Sequence, residues 1–420
     1  MAPRSASAAE PSAPSWKGDR SNSVFFETYL PLVYERRVRS GLEDLVGTMA
    51  AIVIQVEHGQ AIAFLGELAL LGPYRYRECW LNETHRIFLL AAAEQQPRLI
   101  LLEPLSKAFS DQISRWNLMY PLAARTPNAR YVGEIFQTAS VGEVRRVLEE
   151  QNIRFVYRGE TDNPFYALPH LLFSVLSDYT YNRVGYCDVP LDSLAALNPG
   201  DRVMLDGQTL APVRKAARLH GALGLEGKVL GVDHLATRVL AGERDDALLE
   251  FLTMVPYRFW GAYNITEMNS STNITRCPGI GDEKRSPAKV FTANNIPSYL
   301  NSIENLPMPT EEFVRNFGRR MHHMAYEILD GQEGEVKNVD LVVRHLRDQG
   351  VSFLSTVVGE CRDQPNLKQI FTRSSAFTLL ITEYIQRCMG YDGFFTRENV
   401  AALTEAAGYE ERYQHGQVFD

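Results

Sequence analysis

Arg146–Phe155 reads RVLEEQNIRF, and the pattern returns at Arg344–Phe353 as RHLRDQGVSF. Both fit R-x-L-x-x-Q-x-φ-x-F, where φ is β-branched, and both end an amphipathic helical pattern that runs directly into a strand-like segment. Upstream of each lies a short strand pattern containing Glu-Ile, RYVGEIF around Glu134 and HHMAYEI around Glu327. Downstream come an acidic residue with a Tyr and then Gly-Tyr: Asp178-Tyr179 with Gly185-Tyr186, and Glu383-Tyr384 with Gly390-Tyr391. Landmarks in one order mark a repeated supersecondary unit of strand, helix and several strands, roughly 60–80 residues long.

A further copy precedes the last one. It opens with GVDHLATRVL (Gly231–Leu240), followed by the helix-like DDALLEFLTMV and the strand-like PYRFWGAYNI. Its His234-Leu-Ala-Thr-Arg-Val matches His323-Met-Ala-Tyr-Glu-Ile, and a weaker fourth copy starts at Met49–Leu68. The chain therefore divides into a tail (1–22), a pair of modules (23–200), a connection (201–229) and a second pair (230–420).

The whole-chain arithmetic agrees with a globular α+β protein. The 420 residues are 45% hydrophobic and 22% charged, which fits neither wholesale disorder nor a fibrous repeat. A net charge of −8 excludes a globally basic nucleic-acid binder. Met49–Val56 is the best apolar run and falls far short of the ~18 residues of a membrane helix. Cys79, Cys187, Cys277, Cys361 and Cys388 show no CxxC or zinc-like spacing, which argues against a disulfide framework and a structural zinc site. The expected setting is cytoplasmic. G-x-S-x-G, Walker A, H-E-x-x-H and G-x-G-x-x-G are all absent from the sequence.

The two matching histidines carry the chemistry. Side chains alternate along a strand, so His234 shares a face with Ala236 and His323 with Ala325, and each small Ala leaves room before an imidazole. Glu383 sits in the apolar run Ala376–Ile385, where an ionised carboxylate is costly unless it meets a cation. Two His and a carboxylate from three strands compose the facial triad that holds non-haem Fe(II) and leaves adjacent positions open for a 2-oxo acid and O2. His322 is expected to point to the opposite face, as packing or support. In the first pair Arg130 stands where a His would fall and Asp178 at the acidic position, so that half is expected to serve as scaffold without metal. The remaining histidines (His58, His85, His170, His220, His345, His415) have no partner spacing and read as structural.

Residues 230–410 resemble 4-hydroxyphenylpyruvate dioxygenase and its relatives in the vicinal oxygen chelate superfamily. The motifs are GVDH (231–234), H-x-A at His323, QIFTR (369–373), TEYIQR (382–387) and GFF (393–395); the first half is similar in SDYTYNRVGY (177–186). The resemblance implies paired βαβββ modules in two tandem open barrels, with Fe(II) on His234, His323 and Glu383. It also implies substrate contacts from Gln369, Ser286, Asn301, Phe394 and Phe395, a C-terminal helix closing the site, and a homo-oligomer. The family's second gate aromatic is Val400 here, within GFFTRENV, which points to an altered substrate. Rival readings are a metal-dependent isomerase, lyase or ring-cleaving enzyme of that superfamily, and a non-catalytic binding protein.

Overall fold

The computed structural model describes residues 17–20, 22–93, 96–107, 129–161, 163–278, 286–297, 307–408 and 410. The chain starts with Lys17–Gly18 (β1), Ser23–Ser40 (α1) and Leu42–Leu45 (α2). The first module follows as Val46–Gln55 (β2), Ala61–Leu71 (α3), Arg75–Leu81 (β3), His85–Ala91 (β4) and Arg98–Pro104 (β5). The second is Arg130–Thr138 (β6), Val141–Glu149 (α4), Leu171–Phe173 (β7) and Arg183–Cys187 (β8). Asp201–Val203 (β9) and Ala211–Ala222 (α5) connect to the third, Val229–Arg238 (β10), Arg244–Met254 (α6), Arg258–Ile265 (β11), Ser270–Arg276 (β12) and Ala288–Asn294 (β13). Pro309–Phe317 (α7) leads into the fourth. Its elements are Arg320–Ile328 (β14), the hairpin Gln332–Glu333 (β15) and Val336–Lys337 (β16), Asn338–Asp348 (α8), Asn366–Phe371 (β17) and Ile381–Cys388 (β18). Arg397–Gly408 (α9) follows.

The strands form two eight-stranded sheets, ordered β7-β8-β6-β2-β5-β4-β3-β9 and β1-β11-β12-β13-β10-β14-β18-β17. Read in reverse, the second order matches the first strand for strand from β17 to β11. Each sheet is antiparallel at its centre, β2 on β6 and β10 on β14, flanked by the parallel pairs β2/β5, β6/β8, β10/β13 and β14/β18. This is the paired-module α+β architecture expected from the sequence. In the second and fourth modules, one strand shrinks to the isolated bridges Phe155–Ser174 and Phe353–Thr372, made by the last residue of each R-x-L-x-x-Q-x-φ-x-F copy. Helix α4 starts at a Ser140 side chain that accepts from Glu143 N, the local sequence S-x-x-E that favours a helix start.

The register corrects two sequence alignments. Val53 pairs with Gly133 and Ile135 with Gly185, at the places where Ala236 pairs with His323 and Ala325 with Glu383. Structural counterparts of His234, His323 and Glu383 are thus Ala51, Gly133 and Gly185, none of which offers a ligand atom. Arg130 lies three residues from the true position, and Asp178 is exposed in the turn before β8. Tyr186, not Tyr179, corresponds to Tyr384. Its hydroxyl donates to Met254 O at the end of α6 (2.9 Å), while Tyr384 donates to Leu71 O at the end of α3 (2.8 Å). The matching Tyr contacts tie each half to the helix of the other.

Other positions differ from the sequence reading as well. Lys17 and Gly18 add a short parallel strand beside Gly261 and Ala262 of the second sheet. Helix α1 packs on the same half: Phe26 stacks on Phe259 at 4.2 Å, and the buried Arg37 Nη1 donates to the carbonyls of Leu252, Val255 and Tyr257. Those carbonyls lie at the end of α6, where backbone acceptors lack helical partners and a cation is favoured. The first sheet also runs on to Val203, inside the expected connection. Finally, Cys361 and Cys388 form a disulfide, contrary to the expectation from spacing. The β17/β18 hairpin sets Asn366 opposite Cys388 and so brings the two thiols together, a pairing that sequence separation alone cannot show.

Candidate metal centre

The difference between the halves lies in what fills each sheet's concave side. In the first half the equivalent space is a packed apolar core that includes Ala51, Val53, Ile135, Phe165 and Phe173. A Cβ on Gly185 would lie 2.7 Å from the Phe173 ring, so even a small side chain is excluded there. In the second half, β10, β14 and β18 bring His234, His323 and Glu383 together, as the sequence expected.

The geometry is compact. His234 Nε2 lies 3.2 Å from His323 Nε2 and 3.1 Å from Glu383 Oε2, and His323 Nε2 lies 3.3 Å from the same oxygen. Three donors about 2.1 Å from one ion are about 3.0 Å apart at right angles and about 3.4 Å apart at tetrahedral angles. The three edges therefore fit one face of a divalent-metal coordination shell, and these are the residues whose ligand atoms cluster for a cation. Burial is nearly complete for His234 and Glu383.

A supporting layer orients each ligand. His234 Nδ1 is 2.7 Å from Asp233 Oδ1, which leaves Nε2 turned to the cluster. Asp233 is itself paired with Arg387 through both carboxylate oxygens. Burial would raise the Asp233 carboxyl, but Arg387 and His234 outweigh it and hold it below the ordinary carboxylate range. Gln369 Nε2 donates to Glu383 Oε1 at 2.6 Å, and Asn399 Nδ2 of α9 donates to Gln369 Oε1 at 3.0 Å. Burial lowers His234, yet Glu383 and Asp233 push it up to about 9. His323 falls well below its ordinary value through burial, with His234 and Arg238 adding to the effect. The cluster thus concentrates carboxylates around imidazoles, the electrostatics of a cation site.

His322 does not turn away from this cluster. Between Ala236/His323 and Thr237/Met321 the register slips, so β14 bulges at His322. The bulge re-aims the ring, whose Nδ1 lies 2.9 Å from His323 Nδ1. Strict alternation could not foresee it.

Beside the triad lies a cavity lined by His322, His323, Glu383, Gln369 and Phe371. The lining also includes the apolar Ala236, Val290 and Phe395 and the polar Arg238, Thr272 and Thr292. Val400, Leu403 and Thr404 of α9 cover it. About 60 Å³ is open to the centre of a water-sized sphere, room for roughly five waters or a small organic molecule.

Of the expected substrate contacts, Gln369 and Phe395 line this cavity. Phe394 stands behind, its ring 5.4 Å from His234 and 5.7 Å from Trp260. Ser286 is not brought there: its hydroxyl meets Tyr257 OH at 2.6 Å and accepts from Met49 N at 2.8 Å, at the junction of the halves. Asn301 lies outside the described residues. Sequence reasoning missed Asp233, although it directly precedes His234. It also missed Arg238, which follows Ala236 on the same strand face.

No protein-family model matches the sequence, and no curated protein matches it. Solved structures do. A triple mutant of 4-hydroxymandelate synthase from Streptomyces coelicolor matches with TM-score 0.57 at 17% identity, over 87% of this chain and 98% of that one. A xylose isomerase-like TIM barrel/4-hydroxyphenylpyruvate dioxygenase fusion protein matches with TM-score 0.54 at 13% identity, over 90% of this chain and 58% of that one. With the paired sheets described above, these likenesses give the chain the vicinal oxygen chelate fold.

Proposed function

We propose that this protein is a non-haem Fe(II) dioxygenase that couples O2 activation to oxidative decarboxylation of a 2-oxo acid. The observation that carries the reading is the meeting of His234, His323 and Glu383 at one cavity edge. The names of the two structural neighbours support the same class of chemistry. Bound there, Fe(II) would supply two-point chelation of the oxo acid and electron transfer to O2.

The chain's own residues prepare that event. Asp233 and Arg387 hold the His234 ring with Nε2 forward, and Gln369 occupies Glu383 Oε1 so that Oε2 faces the histidines. Asn399 links Gln369 to α9, so the helix that covers the cavity also supports the residue that holds Glu383. Phe371, Phe395 and Leu403 keep the wall apolar, which excludes water from a reactive site. Gln369 and Phe395 face the substrate in this reading, and Phe394 packs behind His234.

The test is an anaerobic titration of Fe(II)-loaded protein with 2-oxo acids, followed by exposure to O2. A visible charge-transfer band, then equal O2 uptake and CO2 release, is expected. No O2 uptake with any 2-oxo acid defeats the decarboxylating reading. The donor edges also suit a tetrahedral ion, so turnover that survives anaerobiosis with Zn(II) or Mn(II) would favour an isomerase or lyase instead. Among the described residues no helix is long and apolar enough to cross a membrane. We place the protein in the cytoplasm, acting on a small molecule.

A further inference from the structure

The disulfide lies beside the strand that carries Gln369, the residue that holds Glu383. Cys388 ends β18, five residues after Glu383, and Cys361 precedes β17. The bond therefore closes a loop, residues 361–388, that contains both Gln369 and Glu383.

The segment before Cys361 runs along the other side of β17 from β18. Val358 and Gln369 exchange both backbone hydrogen bonds at 2.9 Å, and Leu354 N donates to Phe371 O at 3.0 Å. At Gly359 the chain turns with φ +87°, and a Cβ there would lie 2.1 Å from Leu367 O and 2.8 Å from Asn399 Nδ2. Glycine thus lets the segment press against the amide that supports Gln369. Isolated bridges at Phe353 and Val358, rather than a continuous ladder, join the segment to β17. The covalent tie from Cys361 across to Cys388 completes the clasp, with β17 inside it.

Cys361 is 8% exposed and Cys388 is fully buried, so an incoming thiolate reaches the Cys361 sulfur first. The free thiols compete poorly, because burial pushes Cys79, Cys187 and Cys277 each up to about 11. In the cytoplasmic setting proposed above, protein disulfides are made and broken in use rather than kept as permanent struts.

We propose that the Cys361–Cys388 bond is a thiol-disulfide switch on metal affinity. Oxidised, it clasps β17 and holds Gln369 on Glu383; reduced, it loosens β17 and weakens the hold on the metal. The reductant is a dithiol. Its thiolate attacks Cys361 Sγ to form a mixed disulfide, and Cys388 leaves, taking up one proton. The reductant's second thiol then closes its own disulfide and frees Cys361, so two electrons and two protons pass to the protein. This rests on the reading of the site as the metal centre of a 2-oxo-acid oxygenase, and it deepens that reading by naming how the site is regulated.

Mn(II) affinity of the full-length protein is measured by anaerobic calorimetry in the disulfide form, after reduction with dithiothreitol that is then removed, and after reoxidation with oxidised glutathione. Reduction is expected to weaken Mn(II) binding about tenfold, and reoxidation to restore it. Gln369→Leu, already weakened, is expected to lose less than about twofold more on reduction, because the support through which the tie acts is gone. Cys361→Ser with Cys388→Ser shows the reduced affinity and ignores reductant. Cys361→Ala, which breaks the bond with one small change, preserves the test should the double variant fail to fold. Hydrogen exchange of the metal-free protein is expected to quicken on reduction at Val358 and Gln369 and to stay unchanged in β6. Equal Mn(II) affinity of oxidised and reduced native protein, a tenfold effect that persists in Gln369→Leu, exchange that quickens uniformly, or no Mn(II) binding by either form overturns the proposal. Failure of the oxygenase reading shows separately, as no O2 uptake with any 2-oxo acid while Mn(II) affinity still follows the state of the disulfide.

Discussion

Replacing Glu250 by Gln makes the protein more stable, and more so at higher pH. Glu250 lies on α6 where the two halves meet, beside a small chamber of about 20 Å³ that is also lined by Ser177, Glu134 and Lys289. Burial pushes its carboxyl up to about 7; the Ser177 hydroxyl bond pulls it down, and the Asp178 charge raises it. The ordinary value is 4.5. Because the folded value is the raised one, the unfolded chain releases its proton first, and stability falls as pH rises from about 4.5 to about 7. At about 1.36 kcal/mol per unit, the full penalty is about 3 kcal/mol, of which most appears between pH 5 and pH 8. Glu250→Gln keeps an acceptor for Ser177 and removes the ionisation. Urea unfolding of native and variant protein at pH 5 and pH 8 measures the difference. The expected gain is under about 1 kcal/mol at pH 5 and about 2–3 kcal/mol at pH 8. A gain that does not change with pH, or a loss at pH 8, refutes the burial argument.

Other outcomes follow from the same contacts. Lys289 pairs with Glu134 across the halves with both side chains buried, so Lys289→Met strands a carboxylate and costs about 3–5 kcal/mol in urea unfolding. The double variant Lys289→Met with Glu134→Leu recovers most of that loss. Gln369→Leu frees Glu383 Oε1 and is expected to weaken Fe(II) affinity about 10–100-fold in anaerobic titration, with little change in thermal midpoint. Thiol counting on unreduced, denatured protein is expected to find three free thiols, those of Cys79, Cys187 and Cys277. A count of five in cell extract would show the Cys361–Cys388 bond reduced in the cell, as the proposed cytoplasmic setting favours.

Much of the fold was legible because it is written twice. The R-x-L-x-x-Q-x-φ-x-F copies mark the same helix-to-bridge junction in both halves, and the paired His-x-Ala strands face each other across β10 and β14, His against Ala. The triad was readable for the same reason: local spacing around His234 and His323 survives intact. The finer register was not. Asp178 was aligned by residue type and Arg130 by position, but Gly133 and Gly185 occupy the equivalent backbone places, where the Arg183 carbonyl and the Phe173 ring leave no room for a side chain. The His322 bulge, the docking of α1 on the second half and the Cys361–Cys388 pairing are long-range or irregular features with no periodic trace. Arg238 is the second residue beyond Ala236, and its place in the cavity lining shows only in the structure.

The account's central claim is that His234, His323 and Glu383 hold one divalent metal. Protein purified and reloaded anaerobically with Fe(II) should contain one iron per chain by elemental analysis. His323→Ala and Glu383→Ala should abolish that content while a remote substitution, Asp178→Asn in the exposed turn of the first half, keeps it. Stoichiometric iron retained by both triad variants, or none bound by the native protein, would contradict the account.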